Sequence, residues 1–165
     1  MNRVDTSFAV EAELVLSLCR ESLQTHERPV APRIKRYPRE ERAEDYCQQA
    51  SSAGWLALAA GEPVGQLLVR SHWNGLAWVA DLAVEPAWRR QGVARALFAC
   101  AVQWAQEQGL AGLAVETQNT NVAACRFYQS MGMELQGFDK ALYRGLDSTS
   151  AETALFYYLF FNTNL

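Results

Sequence analysis

The stretch EPAWRRQGVARALF, Glu85 to Phe98, sets Arg89, Arg90 and Gln91 before one glycine and an alanine-rich run. Those residue types suit one task, holding an anion. A helix that starts near Gly92 offers unpaired backbone N–H groups and the positive end of its dipole. Together these make a ready anion site. Gly92 and Ala94 lack bulk, so a ligand can lie directly against the backbone. Arg89 and Arg90 add charge suited to a phosphate. A helix start with solvated arginines is the alternative that these residues alone leave open, because short glycine motifs carry little information. The sequence has no G-x-x-x-x-G-K-[ST] and no G-x-G-x-x-G, so neither a P-loop nor a dinucleotide fingerprint is present.

Other reactive side chains are dispersed. Cys19, Cys47, Cys100 and Cys125 form no C-x-x-C pair, which argues for reduced, mostly buried thiols rather than zinc or a disulfide framework. His26 and His72 lack both metal spacing and a nucleophile motif, so no metal site is expected. Cys125 reads as packing. The 165 residues, half of them hydrophobic, fit one domain with a proper core, spanning 1–165. A net charge of -3 argues against nucleic acid as a partner. The N-terminal segment has no signal-peptide core because Glu11 and Glu13 interrupt it, and no run reaches a membrane span, so a soluble cytoplasmic protein is expected.

These residues need elements to position them. Phe8, Leu14, Val15, Leu18 and Cys19 recur at helical spacing behind a cap at Asp5 to Ser7, so residues 1–36 read as an N-terminal helix and loop. The charged, proline-bearing segment Thr25 to Tyr46 reads as a loop leading into a short helix. WLALAA and VGQLLVR read as antiparallel strands about Gly61. Asn74-Gly75 marks a hairpin leading into LAWVADLAV. A long helix from Gly92 follows, with Ala94, Leu97, Phe98, Ala101, Val102 and Ala105 as its apolar face and Gly109 as its cap. AGLAVET is a buried strand, NVAACRFYQSM a second helix stopped by Gly132, and MELQGFDKALY and ALFYYLFF two closing strands. The last is apolar on both faces, which leaves a homodimer open. The class is α/β, a mixed sheet with helices on its faces.

The pattern [Arg/Gln]-x-x-Gly-x-[Gly/Ala] between strand and helix resembles the pyrophosphate loop of the GNAT superfamily of N-acetyltransferases. NTNVAACRFYQSMGMEL resembles that superfamily's second motif through Asn121, Ala124, Phe127, Tyr128 and Gly132. WNGLAWVADLAV, ETQNTNVAACRFY, GFDKALYRGL and ETALFYYLF are similar to segments of the streptothricin acetyltransferases. The resemblance spans Tyr37 to Phe161, and the divergent N-terminal part is outside it. It implies the GNAT fold, a central, mostly antiparallel, splayed sheet flanked by helices on both faces.

The resemblance also implies acetyl-CoA as co-substrate and a small-molecule primary amine as acceptor, with direct transfer between them. It assigns the pyrophosphate to Arg89, Arg90, Gln91, Gly92, Val93 and Ala94. The pantetheine arm falls to Leu82, Ala83 and Val84, with Asn121 and Ala124. Tyr128 is placed by the thioester sulfur as general acid. The base is left between a carboxylate and a water chain, because the family's glutamate is replaced by Ala80; Asp81 and Glu116 are the candidate carboxylates near the splayed strands. Streptothricins carry a β-lysine chain, so the implied acceptor pocket is acidic, with Asp81, Glu116, Asp139 and Glu152 among Trp73, Trp78, Tyr143 and Tyr157. A protein or metabolite amine as acceptor, and a CoA-binding module without catalysis, are the readings that compete.

Overall fold

A computed structural model describes residues 4–19, 22–37, 46 and 49–161. The strands are β1 (Phe8–Cys19), β2 (Ser22–Lys35), β3 (Ser52–Ala59), β4 (Glu62–Ser71), β5 (Ala77–Val84), β6 (Gly112–Gln118), β7 (Glu134–Asp139) and β8 (Ala154–Phe160). The helices are α1 (Val93–Glu107) and α2 (Val122–Ser130), with short 3-10 turns at Pro86–Trp88 and Leu142–Gly145. The chain divides into two compact units. The first holds Met1–Thr6, Tyr37–Ala114 and Phe160–Leu165; the second holds Ser7–Arg36 and Val115–Leu159.

In the first unit β3, β4 and β5 form an antiparallel meander. Ala60 and Gly61, at φ 49 and 84, close the β3–β4 turn, and Gly75, at φ 80, lies in the hairpin before β5. Val64 to Val69 of β4 are buried without a break, as a strand covered on both faces must be. Helix α1 buries Leu97, Phe98, Ala101 and Ala105, four of the six positions its periodicity predicts; Ala94 and Val102 are half-buried. Gly65 sets how closely α1 approaches β4: a Cβ there would stand 2.8 Å from Val93 Cγ1 and 3.1 Å from Leu97 Cδ1. The helix ends as expected at Gly109, where Leu110 N–H donates to Ala105 O (2.9 Å) and Gly109 N–H to Gln106 O (3.0 Å), a Schellman closure.

In the second unit β7 and β8 pair antiparallel. Asn121 caps α2 by accepting from Ala124 N–H at 3.2 Å, and Gly132, at φ 84, ends it. β1 and β2 form an antiparallel ribbon. The N-terminal helix expected over residues 1–36 is therefore corrected to strand from Phe8 onward, and the loop through Lys35 to a second strand. The physical reason is legible afterwards. Val10, Ala12, Leu14, Leu16 and Leu18 alternate with Glu11, Glu13, Val15 and Ser17, a period of two that the helical reading passed over. Val10 and Leu14 are buried while Glu11 is exposed. Pro29 and Pro32 are tolerated because β2 lies in a two-stranded ribbon and that ribbon carries a register shift between Val10 and Ala12. The short helix expected before Tyr46 lies outside the described residues.

Candidate active site

Two sets of side chains carry chemistry, one in each unit. In the first unit, β5 ends on Leu82, half-buried, and Ala83 and Val84, both buried. Pro86–Trp88 then turns the chain into the segment Arg89 to Gly92. Arg90 adopts φ 61 and Gly92 φ 86. Left-handed backbone at a non-glycine residue costs about 1 kcal/mol, so the turn is held in place by its surroundings. The first bond of the α1 ladder runs from Ala96 N–H to Gly92 O at 3.0 Å. The N–H groups of Val93, Ala94 and Arg95 precede that ladder and face the helix start. Nothing lies within 4 Å of a Cβ built on Gly92, so the chain is uncrowded at that position.

The two arginines differ in employment. Arg89 turns its guanidinium back on the backbone, donating from Nε to Val84 O (2.8 Å) and from Nη2 to Asp5 O (3.4 Å). Arg90 is exposed. Gln91 donates to Ala87 O at 2.8 Å, which stiffens the turn. Arg89 thus shapes the loop, and the backbone amides with Arg90 are what the loop presents outward.

Asp81 accepts from the side-chain amide of buried Gln66. Ala80 packs against Tyr46 and Leu68, so position 80 faces an apolar cluster in which a carboxylate would lose its hydration. Trp78 stacks on His72 (centroids 5.4 Å, 27°), and Trp73, 89% exposed, also contacts that ring at 5.7 Å. Both tryptophans belong to the hairpin end of β5. Trp78 lies six positions from Val84 at the other end, roughly 20 Å of strand.

In the second unit three of the expected acceptor residues come together. Tyr143 donates its hydroxyl to Glu116 Oε1, and the Glu152 carboxylate acts electrostatically on Glu116. Burial pushes the Glu116 carboxyl above its ordinary range; the Tyr143 hydrogen bond draws it back and the charge of Glu152 raises it further. Glu152 is itself buried, accepting from Thr120 Oγ1 and pairing with Lys35 Nζ. Asn119 places this group: it donates to Leu14 O (3.2 Å) and accepts from Thr153 N–H (2.9 Å), tying β1 to the approach to β8.

Asp139 is employed differently. Its Oδ1 accepts from Ala141 N–H (2.6 Å) and Leu142 N–H (3.1 Å), forming the turn that leads to Tyr143. Thr120, Asn119 and Lys35 were missed by sequence reasoning. Thr120 and Asn119 stand beside the second motif, but nothing near Lys35 in the chain marks it.

Tyr128 is buried on α2, edge-on to Phe127 at 5.5 Å and tilted against Tyr157 at 6.1 Å. Cys125 is buried on the same helix and its thiol is pushed up to about 11 by burial, which suits packing and not nucleophilic attack. Cys100 is half-buried; Cys19 is exposed, a correction to the expectation of mostly buried thiols, and Cys47 lies outside the described residues. Among the described residues, no group of three or more His, Cys, Asp and Glu side chains is placed to hold a metal. No helix among them is long and apolar enough to cross a membrane.

A glycine-opened helix after a strand and a capped second helix bearing a buried tyrosine are features of one class. The chain belongs to the acetyltransferase (GNAT) family, whose model matches residues 19–133. Its mixed α/β architecture is that of the family's solved members. More particularly, it is 34% identical to streptothricin acetyltransferase A of Bacillus subtilis (strain 168), over 81% of this chain and 77% of that protein. It superposes with a TM-score of 0.92 at 36% identity on a protein assigned as a streptothricin acetyltransferase in Bacillus anthracis str. Ames, crystallised with acetyl coenzyme A, covering 96% of this chain and 91% of that one. A nourseothricin acetyltransferase structure matches with a TM-score of 0.80 at 30% identity, covering 95% and 88%.

Proposed function

We propose that the protein transfers the acetyl group of acetyl-CoA to a primary amine of a small cationic compound of the streptothricin type. The observation that carries the acceptor reading is the Glu116–Tyr143 pair, a half-buried carboxylate held by a phenol and facing no cationic partner among the described residues. Such a group favours an ammonium brought to it by a ligand. The likeness to streptothricin acetyltransferases along most of the chain supports the same acceptor class.

The donor end rests on the first unit. The amides of Val93 and Ala94, the open space over Gly92 and exposed Arg90 fit a diphosphate. Leu82, Ala83 and Val84 at the end of β5 are assigned to the pantetheine arm. The co-substrate supplies an activated acetyl thioester. The chain's part is to orient it, to take a proton from the acceptor ammonium and to give one to the leaving thiolate. Tyr128 is assigned the second task, because a phenol near pKa about 10 holds its proton until a thiolate needs it. Asn121 supports this by fixing the start of the helix that carries Tyr128. Glu116 binds the acceptor ammonium, and deprotonation passes to it or to water. Asp81, tied to Gln66, and Asp139, tied to its turn, are less suited to that role.

The test is a thiol-release assay with acetyl-CoA and an acceptor panel of streptothricin, peptides with free N-termini, lysine peptides and simple diamines. Turnover with streptothricin at least tenfold above the rest is expected. Turnover confined to peptides would replace the acceptor, and donor binding without release for any amine would remove the catalytic reading.

A further inference from the structure

We infer that Lys35 is a positioning residue: it neutralises Glu152 and so reserves Glu116 for the acceptor's ammonium. The inference rests on the reading that Glu116 receives that acceptor. Lys35 is the last residue of β2, and Glu152 stands two residues before β8 begins at Ala154. Glu152 has both oxygens engaged, Oε2 by Lys35 Nζ and Oε1 by the Thr120 hydroxyl. Glu116 has only Tyr143 on one oxygen, and no cation pairs with it among the described residues.

Two carboxylates that share a poorly hydrated site cannot both ionise freely; one holds a proton. The charge of Glu152 raises the Glu116 carboxyl, after the larger effect of burial. The ammonium of Lys35 offsets the Glu152 charge, so a proton need not be shared. Without it, the unopposed charge of Glu152 would raise the Glu116 carboxyl further and weaken its hold on an ammonium. The groups acting on Glu116 are Tyr143 from the 3-10 turn and Glu152 from the approach to β8. Lys35 stands behind Glu152, and its charge also reaches exposed Asp147. Lys35 acts through Glu152, not on substrate, which makes it a positioning residue and not a catalytic one.

The experiment follows the pH profile of kcat/KM with streptothricin and acetyl-CoA, alongside a carbon-detected NMR titration of the Glu116 carboxyl, in five proteins: wild type, Lys35→Met, Lys35→Arg, Glu152→Gln and Lys35→Met/Glu152→Gln. Lys35→Met should raise the acid limb and the NMR midpoint together, by about one pH unit or more. Lys35→Arg should match wild type, and the double variant should return to wild type or below. Glu152→Gln alone should lower the midpoint, which keeps the test alive if Lys35→Met does not fold. An NMR midpoint unmoved in Lys35→Met, or moved as far in Lys35→Arg, overturns the inference alone. Full kcat/KM in a Glu116→Gln protein would overturn the acceptor reading and the inference with it.

Discussion

Tyr143 donates its hydroxyl to Glu116 across 27 positions of sequence, joining the short turn after β7 to the end of β6. A hydrogen bond to a charged group is worth about 1.5–3 kcal/mol. Tyr143→Phe should therefore lower kcat/KM for a cationic acceptor by roughly ten- to a hundredfold, since each 1.4 kcal/mol is a factor of ten. Because the phenol pulls the Glu116 carboxyl downward, its loss should also shift the acid limb of the profile upward. A loss of activity with an unmoved limb would assign Tyr143 to packing only.

The folded-state carboxyl of Glu116 titrates above its ordinary value of 4.5, so the native protein binds this proton more tightly than the unfolded chain. Stability then falls as pH rises from that ordinary value through the folded one, and stays level beyond. Glu116→Gln should melt higher than wild type at neutral pH, with the advantage gone in acid below the ordinary value. Thermal melts across pH check this, and a constant difference between the two proteins would contradict it.

Gly65 and Gly92 should respond differently to alanine. At Gly65 the added methyl meets Val93 and Leu97 and must push α1 off β4, for which overpacking costs of about 1–3 kcal/mol are typical. At Gly92 there is room, and the penalty is left-handed backbone alone, about 1 kcal/mol. Urea unfolding should rank Gly65→Ala as the less stable. Gly65→Ala should raise KM for acetyl-CoA by shifting the first turn of α1, and Gly92→Ala by straining the backbone before it.

Tyr128→Phe removes the assigned proton donor while leaving the ring against Phe127 and Tyr157. A fall in kcat of about a hundredfold or more, with donor affinity unchanged, is the expected result for a lost general acid. Unchanged turnover would make Tyr128 a core aromatic.

Thiol labelling should separate the cysteines by burial. Cys19, exposed at the end of β1, should alkylate within minutes at neutral pH, and Cys125 only on unfolding. Peptide mass mapping reads both, and rapid labelling of Cys125 in the native protein would contradict its placement.

The sequence announced those parts whose cause is local. Gly109 and Gly132 adopt the positive φ that ends a helix, Asn121 caps the next one, and Asn74-Gly75 turns a hairpin, all through interactions within a few residues. Phe8 to Cys19 misled because its apolar residues satisfy two periods at once, and pairing with β2 decided between them. The proposed acceptor group was legible only in part. Glu116, Tyr143 and Glu152 were named as candidates, but their partners Lys35 and Thr120 come from other parts of the chain, and no local pattern records a long-range ion pair. Asp139 differs in that its hydrogen-bond partners are its own near neighbours, Ala141 and Leu142.

With Arg89 turned toward Val84 and Asp5, the donors proposed to hold an anion at the head of α1 belong chiefly to the main chain. Main-chain donors are invisible to an alanine scan, because every residue but proline keeps its N–H. On the proposed reading, substitutions at these positions can change the side chains and leave the donors in place. Val93, at the first helical position, is where the ring of a proline fits without breaking the helix, so that substitution would delete one donor at a time and expose a recognition that side-chain surveys overlook.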